Sequence, residues 1–290
     1  MIPFERAAVI GLGLVGGSVA RDLAALGVDV VGYDANPDEI DAALRDGVVK
    51  AALPPSLAGV EHAGLIVLAV PVDATAEVLS RVARWPVKAT LITDVGSTKA
   101  EVIAAASRTG LATRFVGSHP MAGDHRSGWN ASRLGLFAGA SVHLCSCDET
   151  SQESIEAANA FWRALGARPS PVRATEHDRR LAWTSHMPHM LSIALSTVLD
   201  DTGVARHELG PGGRDLTRLA GSSVTMWTAV ARENRTSLAD AMHAVEQRIA
   251  ALRTAISAGD DDELSSHLAR ARDWFDRDTP PGAASGDRAT

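Results

Sequence analysis

The chain has 290 residues, 46% of them apolar and 22% charged, and a net charge of −7, which is room for about two domains with a sizeable core. The acidic balance argues against nucleic acid or an anionic membrane surface as a partner. No apolar run approaches the ~18 residues of a membrane span, the first strand starts too early to leave room for a signal peptide, and the two cysteines, Cys145 and Cys147, fit no metal or redox spacing, so they read as reduced thiols of a cytoplasmic protein.

The first element is an apolar strand over residues 7–10. Gly11, Gly13 and Gly16 follow with the G-x-G-x-x-G spacing, and Val15, Val19, Leu23 and Leu26 continue at helical intervals until Gly27. A second apolar strand, 28–33, closes with Asp34. Each residue has a task in a dinucleotide site. Gly11 permits the tight turn, Gly13 lets the backbone approach a pyrophosphate, and Gly16 lets helix and strand lie close. The helix N-terminus then faces the phosphates. Asp34 can accept hydrogen bonds from both ribose hydroxyls, and its charge repels a 2′-phosphate, which favours NAD over NADP.

Helical and strand patterns then alternate. A helix begins at Asn36-Pro37 and stops at Gly47. The run 65–69 is apolar throughout, as in a strand buried on both faces, and it ends at Val70-Pro71. A helix over 74–83, a strand over 90–93, the loop Asp94-Val95-Gly96-Ser97 and a helix over 99–107 follow. A short strand at 115–117 leads into the loop Ser118-His119-Pro120-Met121-Ala122-Gly123. A strand at 141–145, a helix at 152–165 and an edge strand at 169–173 complete the series. This alternation predicts an α/β fold, a Rossmann-type doubly wound and largely parallel sheet, over residues 1–174.

From 175 to 278 the periodicity is helical only, which predicts an all-helical second domain. A helix over 178–199 contains Pro188, expected to kink it. After Gly210-Pro211-Gly212-Gly213 come short helices to 232. From Ser237, residues Leu238, Met242, Val245, Ile249, Leu252 and Ile256 form a heptad seam. A last helix spans 262–275, and residues 279–290 read as a disordered tail.

Ligands of open parallel sheets bind beyond the carboxyl ends of the strands, where Ser97 and His119 converge. A histidine there can serve as general base. The helical half adds Thr184-Ser185-His186-Met187-Pro188-His189, with Ser185 and His189 on one face, and Arg214-Asp215-Leu216-Thr217-Arg218 followed by Trp227. Arg214 or Arg218 could clamp a carboxylate, or pair internally with Asp215.

Taken together, GLGLVGGSVA, GYD, LAVP, DVGSTK, GSHPMAG, EHD, SHMPH, RDLTRLA and the following MW resemble the prephenate/arogenate dehydrogenases of tyrosine biosynthesis, over roughly residues 7–275. The resemblance implies a Rossmann domain followed by a helical dimerisation domain, and NAD-dependent oxidative decarboxylation of prephenate to 4-hydroxyphenylpyruvate. It implies that His119 accepts the substrate's hydroxyl proton, that Ser97 hydrogen-bonds that histidine and the hydroxyl, and that Arg218 binds a carboxylate. Ser185, His189 and Trp227 would line the side-chain pocket. Gly11, Leu12, Gly13, Leu14, Val15, Gly16, Asp34, Val70 and Pro71 would hold NAD, and no metal is expected. Arogenate or another amino analogue of prephenate is an alternative substrate. His125 and Gly213 depart from the family pattern near the substrate. A β-hydroxyacid-type dehydrogenase needs a lysine in the helical region, and no lysine follows Lys99. A non-catalytic NAD sensor would have no use for His119, Ser97 and Arg218 together.

Overall fold

The apolar run Arg6–Ile10 forms β1, the central strand of an eight-stranded sheet ordered β3-β2-β1-β4-β5-β6-β7-β8. The computed structural model describes residues 3–124 and 126–277. In chain order the elements are β1, α1 (Leu14–Ala25), β2 (Asp29–Tyr33), α2 (Pro37–Arg45), β3 (Ala51–Ala52), β4 (Leu65–Leu68) and α3 (Thr75–Val82). Next come β5 (Leu91–Asp94), α4 (Ala100–Arg108), β6 (Phe115–Pro120), β7 (Ser141–Cys145), α5 (Gln152–Ala164) and β8 (Arg168–Pro171). The helical part is α6 (Ala174–Leu181), α7 (Met187–Asp201), α8 (Pro211–Thr217), α9 (Val224–Glu233), α10 (Arg235–Ala258) and α11 (Asp261–Arg277).

Every strand pair is parallel except β6–β7. The chain crosses from β3 at one edge to β4 on the other side of β1, so a topological switch lies between β1 and β4, where such sheets bind ligands. β1 and β4 are buried on both faces, which is why they read as unbroken apolar runs. Their side chains enter two cores. Ala7, Val9, Leu65 and Val67 pack with Leu23, Phe161 and Trp162 on one face, and Ala8, Ile10, Ile66 and Leu68 with Leu79, Val82 and Phe115 on the other.

Three features differ from the sequence expectation. The two-residue strand β3 is too short to carry a pattern. β6 continues through Ser118, His119 and Pro120, because antiparallel β7 pairs with residues 117–120, so His119 stands in a strand rather than in the following loop. Between α6 and α7 the helix widens into a π segment, Ala182–His186. Pro188, near the start of α7, has no N–H to return to the preceding turn, and the wider turn accommodates that loss.

By compactness the described residues divide between Leu238 and Ala239. Helices α6 and α9 pack onto the sheet half, α6 against α4 and α9 against the turn Val72–Ala74. In the second unit Ile249 and Ile256 of the heptad seam are exposed. The tail 279–290 lies outside the described residues.

Candidate active site

The glycine turn shows why its residues must be glycine. A Cβ on Gly11, which has φ of +93°, would lie 2.2 Å from the Ala69 carbonyl oxygen, and one on Gly16 would lie 2.0 Å from that of Gly11. Gly13 faces open space, which leaves the backbone approachable at the start of α1, where no side chain caps the helix. Asp34 Oδ2 accepts from the Leu12 amide at 2.6 Å and Oδ1 from the Asn36 amide at 2.8 Å. The carboxylate is thereby fixed beside the turn, with further lone pairs left for ribose hydroxyls. Leu14 and Val15 open α1, while Val70 and Pro71 follow Ala69, the residue just after β4 whose carbonyl oxygen packs against Gly11. The expected cofactor residues therefore gather at the β1/β4 switch, and the turn fits a dinucleotide.

His119 projects from β6 into a cluster of polar groups. Its Nδ1 lies 2.9 Å from His177 Nε2, and His177 Nδ1 lies 2.8 Å from Asp178 Oδ1. Asp178 also accepts from the Lys99 and Ala100 amides at 2.8 Å each, so α6 supplies the cap that α4 lacks locally. Behind His119, the buried ammonium of Lys99 pairs with Asp94. Asp94 also accepts from the Gly96 amide at 2.9 Å and the Ser118 amide at 3.1 Å, which ties the loop after β5 to the strand carrying His119. Ser118 Oγ accepts from Trp162 Nε1 at 2.9 Å and lies 2.7 Å from Thr93 Oγ1.

Burial, followed by the charges of His177 and Lys99, holds the His119 imidazole well below its ordinary pKa. The ring is neutral at neutral pH and can accept a proton. His143 faces His119 across the β6–β7 ladder, with ring centroids 6.4 Å apart, and its centroid is 5.5 Å from that of His177. Among the described residues no group of ligands could hold a metal.

Ser97 lies half-buried on the loop between β5 and α4. The hydrogen bond expected from it to His119 is absent; His177 takes the Nδ1 position from α6 instead.

The helical residues form a second group. His189 stacks on Trp227 with centroids 3.5 Å apart, and its Nδ1 donates to the Ser185 carbonyl oxygen at 3.1 Å. His186 meets Trp227 edge-on at 5.9 Å. Asn234 Nδ2 donates to the Asp178 carbonyl oxygen at 2.7 Å and lies 3.1 Å from His186 Nδ1. His186 Nδ1 is therefore the acceptor, and its proton sits on Nε2. That Nε2 and Trp227 Nε1 are buried without a hydrogen-bond partner among the described residues. Burial lowers the His186 pKa to about 4. Burial also lowers that of His189, and the Arg218 charge adds to the effect.

Arg218 is exposed and makes no ion pair with Asp215 among the described residues. With Ser196, Asp200, Arg206 and Thr217 it lines a cavity of about 560 Å³ whose walls do not include His119. The link between the two is a run of neighbours: His177, His186, Trp227, His189 and Arg218. Arg214 instead donates to the Leu209 carbonyl oxygen at 2.8 Å. His125 lies outside the described residues, and Gly213 packs against Leu209.

Sequence reasoning assigned no role to His177, Asp178, His143, His186 or Asn234. The EHD and SHMPH runs carried three of them in plain view, His177, Asp178 and His186, but their partners come from elements far away in the chain.

Comparison with known proteins identifies relatives of the chain. Residues 19–170 match the description "Prephenate dehydrogenase, nucleotide-binding domain", and residues 173–270 match "Prephenate dehydrogenase, dimerization domain". The prephenate dehydrogenase of Lactococcus lactis subsp. cremoris is 36% identical over 79% of this chain, which spans 65% of that protein's length. The prephenate dehydrogenase of Bacillus subtilis is 32% identical over 92% of this chain and 74% of its own. The crystal structure of prephenate dehydrogenase from A. aeolicus, in complex with hydroxyphenyl propionate and NAD+, superposes with a TM-score of 0.86 at 27% identity, covering 94% of this chain and 98% of that one. The glycine turn and the domain match together make a dinucleotide the cofactor. The chain belongs to the prephenate dehydrogenase family of oxidoreductases.

Proposed function

We propose that the chain carries out NAD-dependent oxidative decarboxylation of prephenate to 4-hydroxyphenylpyruvate, a step of tyrosine biosynthesis, as a cytoplasmic homodimer joined through its C-terminal helices. The observation that carries this reading is His119: a neutral, partner-oriented imidazole near the carboxyl end of β6, in the sheet whose β1 leads into the dinucleotide turn. His119 Nε2 takes the proton of the substrate's hydroxyl. Ser97, on the neighbouring loop, contacts that hydroxyl. Arg218 binds a substrate carboxylate, and Ser185, His189 and Trp227 line the side-chain pocket. Bound NAD supplies the hydride acceptor for the carbinol carbon. The ring carboxylate then leaves as carbon dioxide, and aromatisation makes the reaction effectively irreversible. Gly11, Leu12, Gly13, Leu14, Val15, Gly16, Val70 and Pro71 hold the dinucleotide. Asp34 selects NAD, its fixed carboxylate repelling a 2′-phosphate.

Exposed Leu191, Leu195 and Val198 on α7, and exposed Ile249 and Ile256 on α10, support subunit association. No helix among the described residues is long and apolar enough to cross a membrane. The test is the purified protein with NAD and prephenate, arogenate being run in parallel. One NADH and one carbon dioxide per prephenate are expected. Absence of NADH with prephenate refutes the reading, and faster turnover of arogenate moves the substrate to the amino compound.

A further inference from the structure

We propose that His177, oriented by Asp178, is a second proton carrier that fixes the tautomer of His119 and receives its proton during turnover; this rests on the reading of His119 as the base. The argument begins at Asp178. Oδ1 faces the Lys99 amide and Oδ2 the Ala100 amide, each at 2.8 Å. Backbone amides only donate, so the carboxylate stands there as an acceptor, at the positive end of α4. His177 Nδ1, 2.8 Å from Oδ1, must therefore carry a proton. In the resting arrangement we propose, His177 is neutral and presents a lone pair at Nε2, and His119 Nδ1, 2.9 Å away, is the donor. That leaves the lone pair of His119 on Nε2, which has no hydrogen-bond partner among the described residues and is the nitrogen offered to the substrate. Three contacts drawn from β6, α6 and α4 thus select the base-competent tautomer before substrate arrives.

The same line can carry a proton. As the substrate's O–H bond breaks, an N–H bond forms at His119 Nε2. The His119 Nδ1–H bond breaks, and the proton passes to His177 Nε2. His119 ends neutral in its other tautomer, and His177 ends as an imidazolium against the Asp178 carboxylate. After product leaves, the reverse shift returns the His177 proton to His119 Nδ1, and the Nε2 proton goes to water. The net charge settles on the ring that has a carboxylate partner. His119 itself faces His177, Lys99, His143 and His186, none of which favours a cation there. His177 is fully buried, and its neighbours are Asp178, His119, the His143 ring with Arg180 beside it, and His186. Among the described residues, Asp178 is the single anion in contact with it.

Two measurements test this. In 15N-histidine-labelled wild-type protein without substrate, His119 should show a protonated Nδ1 and an unprotonated Nε2; the opposite tautomer overturns the proposal. His177→Gln keeps an oxygen that can hold the His119 ring but cannot accept a proton. Its kcat with prephenate should fall by about 10–100-fold, with the KM values for prephenate and NAD changed by less than about twofold. An unchanged kcat overturns the relay, as does a loss confined to KM. The tautomer is read on the free protein. A wild type inactive on prephenate would sink the proposed function alone, and an active wild type with the wrong tautomer would sink this proposal alone.

Discussion

His119 can act as a base because a cation in its position would be buried among other cationic or cation-forming groups. The neutral form is the active one, so the acid limb of kcat/KM follows the folded pKa. Since that pKa is lowered from about 6.5, activity should persist below pH 6.5 and fall only as the pH drops through the lowered value. A pH profile with its acid limb at or above 6.5 would contradict this. Arg218 is exposed and has no carboxylate partner among the described residues, so it is available to a substrate anion. Arg218→Ala should raise KM for prephenate by about 10–100-fold, the worth of a charged hydrogen bond, with kcat little altered. An unaltered KM would assign the residue elsewhere. At this scale the sequence disclosed His119, Ser97 and Arg218 as residue types in recognisable runs. It could not disclose the hydrogen bond between His119 and His177, which joins a strand to a helix 58 residues later. Side-chain pairing across such a gap leaves no local periodicity.

At the scale of elements, the glycine turn is the most constrained local structure in the chain. Gly16→Ala would set a Cβ 2.0 Å from the Gly11 carbonyl oxygen and 2.7 Å from the Ala69 side chain, and backbone must move to relieve it. Overpacking of this kind costs about 1–3 kcal/mol. Thermal unfolding with and without NAD should show a lower midpoint and a smaller shift on adding NAD; wild-type values for both would contradict the close packing of α1 on the β1/β4 crevice. This motif was legible because spacing, strand and helix lie within one short stretch. The extension of β6 was not, because only pairing with β7 makes strand of residues 118–120. The π segment was half legible: Pro188 announced a break, but the manner of relief depends on the turn before it.

At the scale of the whole molecule, the alternation of elements pointed to a doubly wound, largely parallel sheet, since buried parallel strands leave apolar runs that no loop would carry, while the strand order came only from the pairing. The division between compact units was less legible, because α6 and α9 are helical in pattern yet pack onto the sheet half. That packing buries histidines. His186 has its pKa lowered to about 4, and His119, His143 and His189 shift the same way. A lowered folded pKa means that the unfolded chain binds more protons between the two values, so stability is full above about pH 6.5 and is lost as pH falls toward 4. His186 alone contributes about 3 kcal/mol across that window. The urea midpoint should therefore fall between about pH 7 and pH 4.5, and a constant or rising midpoint would contradict the burial of these rings. The central claim, that a neutral imidazole in β6 removes the proton whose loss drives oxidation, is met most directly by the turnover of His119→Asn with prephenate and NAD. The account predicts a kcat about 100-fold or more below wild type, with NAD affinity retained; a turnover equal to wild type would contradict it.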